Sequence, residues 1–131
     1  MINFTVPGPP KGKGRPRVTR HGTYTPKATK DYEKLIISCI DAEGTYYEGV
    51  PLKATIKCFY PMPKSMPKYK RDMILNGELY PIVKPDLDNV AKAILDALNG
   101  ILYKDDNQVV ELFVTKRYSD NPRVEICIQE V

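Results

Sequence analysis

The sequence holds one histidine, three cysteines and no apolar run approaching the ~18 residues that a membrane span needs. Each shortage excludes a chemistry. His21 stands alone, so neither a Ser-His-Asp arrangement nor a zinc-histidine centre has its second component. Cys39, Cys58 and Cys127 are far apart and never spaced as CxxC; they read as small hydrophobes in a reducing compartment, not as a disulfide framework. The glycines from Gly8 to Gly14 miss the GxxxxGK[ST] spacing of a phosphate loop, so no nucleotide cofactor is expected. The opening MINFTVPGPP lacks the charged-then-apolar layout of a signal peptide, and the expectation is a cytoplasmic protein with no membrane attachment.

The first thirty residues also lack any acid. Lys11, Lys13, Arg15, Arg17, Arg20, Lys27 and Lys30 give that segment +7, and residues 49–71 carry +6 with no acid either. Residues 31–48 and 72–131 are net acidic, at −4 and −5. Two basic segments ahead of an acidic C-terminal half suit a polyanionic partner. With 131 residues, 42% hydrophobic and 27% charged, the chain reads as a single globular domain over 1–131.

Periodicity sets the expected elements. Ile2, Phe4 and Val6 alternate with polar neighbours as a short strand. Prolines and glycines then keep residues of about 8–24 out of regular structure, leaving a flexible basic arm. Thr25-Pro26 opens a helix predicted over 26–42, with Ala28, Tyr32, Leu35, Ile36 and Cys39 on one face and Gly44 as its stop. Leu52 to Tyr60 alternates as a half-buried strand whose outer face carries Lys53, Thr55 and Lys57. A short helix fits between Ser65 and Leu75. Leu87, Val90, Ala91, Ile94, Leu95 and Leu98 define another, ended by Asn99-Gly100. Strands over 108–117, with Val110, Leu112 and Val114 inward, and 123–129 close the chain. The order β-α-β-(α)-α-β-β predicts an α/β (α+β) fold, helices packed on a small mixed sheet.

Carboxylates then draw attention. Asp86 and Asp88 flank Leu87 on the polar side of a helix start, beside Asn89, and Lys92 lies one turn further along. Helix capping accounts for one aspartate but not for both. A second pair, Asp105-Asp106, lies in a short connection where a polar turn is the plain reading. Were Asp86, Asp88 and Asp106 to meet at about 5 Å, each pair would repel by about 3 kcal/mol at an effective dielectric of 20, so a cation would be required. All-oxygen donors favour Mg²⁺ or Mn²⁺ over zinc or copper. A carboxylate-held Mg²⁺ beside basic segments is suited to phosphodiester cleavage.

The block Asp86-Leu87-Asp88-Asn89, Lys92, Asp96-Ala97-Leu98-Asn99-Gly100 and Asp105-Asp106-Asn107-Gln108-Val109 resembles the RusA family of Holliday-junction resolvases. The arm Gly12-Lys13-Gly14-Arg15-Pro16-Arg17-Val18 with Tyr24-Thr25-Pro26 resembles phage and prophage members, and residues 61–80 are longer and richer in proline than in compact ones. The resemblance implies a homodimeric, Mg²⁺-dependent endodeoxyribonuclease that nicks four-way DNA junctions symmetrically. It places the family's catalytic acids and metal ligands on Asp86, Asp88 and Asp106, its helix lysine on Lys92, and further motif positions on Asn89 and Asp105. Lys11, Lys13, Arg15 and Arg17 are then expected along the DNA backbone, with Lys53 and Lys57 extending that track across the sheet. Two other classes share parts of this pattern: a non-catalytic nucleic-acid-binding protein, and a metal-dependent nuclease for flaps, forks or RNA.

Overall fold

The alternating strands assemble as their patterns require. In the computed structural model, which describes residues 1–14, 17–41 and 44–131 (Arg17 by its backbone only), β1 (Ile2–Pro7), β4 (Leu52–Pro61), β5 (Val109–Ser119) and β6 (Arg123–Glu130) form one mixed sheet in the order β1-β6-β4-β5. β6 runs antiparallel to both β1 and β4, whereas β4 and β5 are parallel. Two-residue periodicity puts Ile2, Phe4, Val6, Leu52, Ala54, Ile56, Cys58, Tyr60, Val124, Ile126 and Ile128 on one face, all buried.

That face is covered by α1 (Lys27–Ser38) and α3 (Leu87–Ala97). α3 contributes Val90, Ala91, Ala93, Ile94, Leu95 and Ala97, and α1 contributes Thr29, Tyr32 and Ile36. The result is a two-layer α+β fold. Because β4 and β5 are parallel, the chain must return between them, and α3 is the last leg of that return. α2 (Lys68–Leu75) lies earlier in the same connection and buries none of its residues. No helix among the described residues is long and apolar enough to cross a membrane.

Three expectations change. α1 begins at Lys27 with Pro26 as its N-cap and stops at Ser38, short of the predicted 42; Ala28 is exposed and Thr29 takes the inward position. Ala42 and Glu43 lie outside the described residues. The arm is not irregular throughout: β2 (Arg17–Thr19) and β3 (Gly22–Tyr24) form an antiparallel hairpin that turns at Arg20-His21, where Gly22 takes a φ of +119°. Val110 and Leu112, expected inward, are 60% and 50% exposed on β5, which is an edge strand of the sheet.

Candidate active site

Both ends of α3 carry acids. At its start, Tyr60 ends the buried row of β4 and its hydroxyl donates to the carbonyl of Pro85, fixing the entry to the helix. Asp86 is the N-cap residue, yet its side chain makes no capping hydrogen bond; Asp88 follows in the first turn. Both are exposed, and neither has an ion-pair partner among the described residues. The capping explanation for these carboxylates therefore fails at Asp86. Asn89 and Lys92 are exposed beside them, and Asp88, Lys92 and Asp96 form one stripe at four-residue spacing.

At the other end, Asp105 caps a short 3-10 turn, Asp106–Gln108: its carboxylate accepts from the Asn107 N–H at 3.2 Å. Gln108 completes this capping box and is anchored in turn, its Nε2 donating to the carbonyls of Tyr47 and Val50 at 3.0 and 3.2 Å. The turn sits where β5 begins, opposite Leu52 at the start of β4. Here Asp106 meets Asp105 and Asp96. The hydrogen bond that the protonated Asp106 carboxyl donates to Asp105, partial burial and the charge of Asp96 push the Asp106 carboxyl up to about 6, while Asp105 is held below the usual range by the hydrogen bonds that it accepts.

A carboxyl raised in the fold is destabilised by ionisation, so Asp106 subtracts stability as pH rises from about 4 through about 6. Carboxyl NMR is expected to show one step near pH 6, assigned to Asp106. In Asp105→Asn that step is expected to move down, because the amide donates to the ionised form. An unmoved step would mean that Asp105 is not the cause.

The arm is built into the same helix. Lys13 forms an ion pair with Asp96, and its backbone N–H donates to the Asn89 carbonyl at 3.3 Å. Gly14 N–H donates to Thr29 Oγ1 at 2.9 Å. A Cβ at Gly12 would stand 2.5 Å from Asn89 Nδ2, and one at Gly14 would stand 2.6 Å from Thr29 Oγ1, so the close approach needs glycine at both. Lys11 lies 5.8 Å from the ring centroid of Tyr32. The arm is thus seated between α1 and α3 before the hairpin leaves it.

The structure brings together some of the expected residues and separates others. Asp86, Asp88, Asn89 and Lys92 gather at the start of α3. Asp106 lies with Asp96 and Asp105 at its far end: eight residues separate Asp88 from Asp96, roughly 12 Å of helix axis. Among the described residues no three His, Cys, Asp or Glu side chains gather closely enough to hold a metal ion. Lys11 and Lys13 are in the seated arm; Arg15 lies outside the described residues, as does the side chain of Arg17. Lys53 and Lys57 are on the sheet face away from α1 and α3, with Glu111 and Glu125 as their respective cross-strand neighbours. Asp96, which the sequence shows within the motif block, is the site residue to which the sequence reading gave no role, although its spacing from Asp88 and Lys92 was visible.

The family profile described as Endodeoxyribonuclease RusA matches residues 7–129. The chain is also 44% identical over 139 residues to the uncharacterized protein YqaN of Bacillus subtilis (strain 168), covering 99% of this chain and 96% of that protein. The profile spans both acidic ends of α3 and the glycine-built arm, and the chain belongs to the RusA endodeoxyribonuclease family.

Proposed function

We propose that this protein is a structure-selective endodeoxyribonuclease that resolves four-way (Holliday) DNA junctions by paired nicks, working as a homodimer with Mg²⁺ or Mn²⁺. Membership of the family supports the reaction class. The observation that carries the reading to residues is the state of Asp86: it occupies a capping position without capping, and it stands exposed beside Asp88. Two carboxylates left without a structural partner at a helix start are candidates for a cation; Lys92 beside them is a candidate for the scissile phosphate. The seated Lys11 and Lys13 and the hairpin beyond them are candidates for the DNA backbone, so binding is expected to fall steeply with salt.

Within one chain the expected ligand set is incomplete, because Asp106 lies at the other end of α3 from Asp86 and Asp88. A divalent ion would supply charge neutralisation at the phosphate; this chain supplies the two N-terminal carboxylates and the lysine that orient it. Cleavage of four-way junction, fork, linear duplex and RNA, run side by side with Mg²⁺ and with a chelator, tests the assignment. Junction cutting at symmetric points, lost on chelation, supports it. Equal cutting of all substrates, or junction binding without any cutting, overturns it.

A further inference from the structure

We propose that Ile82 is a fixed apolar wedge that enters the base stack at the branch point of a DNA junction, beside the carboxylates of Asp86 and Asp88. The junction as its occupant rests on the nuclease reading above; the mounting of the side chain does not.

Ile82 is 93% exposed, and Val83 beside it is 51% exposed. A single exposed aliphatic is ordinary on a protein surface. What sets this one apart is how firmly the chain around it is held. The Tyr80 ring centroid lies 4.7 Å from the Arg117 guanidinium, and Pro81 is fully buried. Lys116 Nζ donates to the Val83 carbonyl at 2.9 Å, and the Tyr60 hydroxyl donates to that of Pro85. Successive residues of a strand face opposite sides of its sheet, so Lys116 and Arg117 grip the connection from opposite sides of β5. Residues 80–83 therefore pass over the edge of the sheet with Ile82 outermost. Anchors before and after it keep the backbone from turning the side chain inward.

The surroundings select the occupant. Residues 61–85 carry Lys64, Lys68, Lys70, Arg71 and Lys84 against Asp72 and Glu78, all of them exposed. α2, which holds three of those bases, buries none of its residues, and its approach is fastened by the chain itself. Arg71 donates to the carbonyls of Lys64 and Met66, at 3.3 Å each. An apolar tip in a cationic frame fits a polyanion that also offers an apolar surface. Nucleic acid does so: its phosphates take the bases of the frame, and its stack takes the isoleucine. An uncharged protein surface would match the tip and leave the frame unanswered.

Place narrows the choice further. Four residues separate Ile82 from Asp86, at most about 14 Å of extended chain. Successive phosphates of a strand advance by about 3.4 Å along the helix axis, so the wedge reaches base pairs a few steps from the phosphate at the carboxylates. In linear duplex every pair is covered by neighbours on both sides. At a crossover the stack is interrupted, and separating two pairs there costs least. Ile82 thus favours branched over linear DNA by shape, with no base identity read.

2-Aminopurine, which brightens when unstacked, reads the insertion without cleavage. With the probe beside the crossover and no divalent ion present, saturating wild type and Ile82→Leu are expected to brighten it. Ile82→Ser, bound to the same junction at saturation, is expected to leave it dim. A serine variant that brightens the probe as wild type does overturns the wedge.

Cleavage separates a wedge from a merely structural side chain. Ile82→Ser is expected to cut a fully paired junction about 10–100-fold more slowly, the loss of one buried aliphatic contact. On a junction already mismatched at the crossover it is expected to recover most of that rate. Equal losses on the two junctions would mean that serine damages the frame, and overturn the proposal. Sedimentation of the variant is expected to match wild type; a changed assembly would set Ile82 against a second copy of the chain and overturn it too. Should wild type cut no DNA while the probe brightens only with an aliphatic at 82, the nuclease reading falls and the wedge stands. Should wild type cut junctions and Ile82→Ser match it in both assays, the wedge falls and the nuclease reading stands.

Discussion

Asp86→Asn is expected to abolish strand cleavage while leaving the fold and junction binding in place. The reasoning starts from what the side chain does not do. Asp86 makes no capping hydrogen bond and has no ion-pair partner among the described residues, and asparagine is as good an N-cap residue as aspartate. The substitution removes a negative charge and little else. Loss of a preorganised electrostatic group at a reacting phosphate costs about 10²–10³-fold in rate, and more where the group is a metal ligand. Single-turnover cleavage gives the rate, and gel-shift binding without divalent ions gives the affinity. A mutant that binds and cuts like wild type would remove Asp86 from the chemistry. One that fails to bind would make it a positioning group for DNA instead.

The parts of this molecule that were legible in its sequence are those where one physical rule acts alone. Strict alternation marked β1, β4 and β6, and the apolar stripe marked α3, because each packs a single face against a single layer. Val110 and Leu112 deceived the same rule: alternation gives the side of the sheet, not how fully that side is covered, and at the edge strand both stay half exposed or more. The acids divide in the same way. Local spacing put Asp88 and Lys92 on one stripe, with Asp86 just ahead of them at the helix start, since eleven residues of helix fix that geometry. The distance to Asp106 depended on which way α3 runs relative to β5. Gln108, which ties the 3-10 turn to Tyr47 and Val50 near the start of β4, settled it at the far end of the helix. Nor did proline and glycine mean disorder throughout the arm: Gly12 and Gly14 are there for close packing, and Gly22 for a hairpin turn.

The core beneath α3 sets the largest expected loss of stability. Ile94 is fully buried, on the face of α3 that meets the sheet and α1. Ile94→Ala deletes three carbons at a point where neighbours on two layers cannot both close in, at a cost of about 2–5 kcal/mol; the better helix propensity of alanine returns only a few tenths. For a chain of this length that lowers the melting temperature by about 10 °C, measured by circular dichroism. Leu112→Ala makes the contrast: half exposed in one chain, it is expected to cost under ~1 kcal/mol in dilute protein. Equal costs at the two positions would mean that burial in the core beneath α3 does not set the loss, since Leu112 is half exposed and Ile94 is not exposed at all.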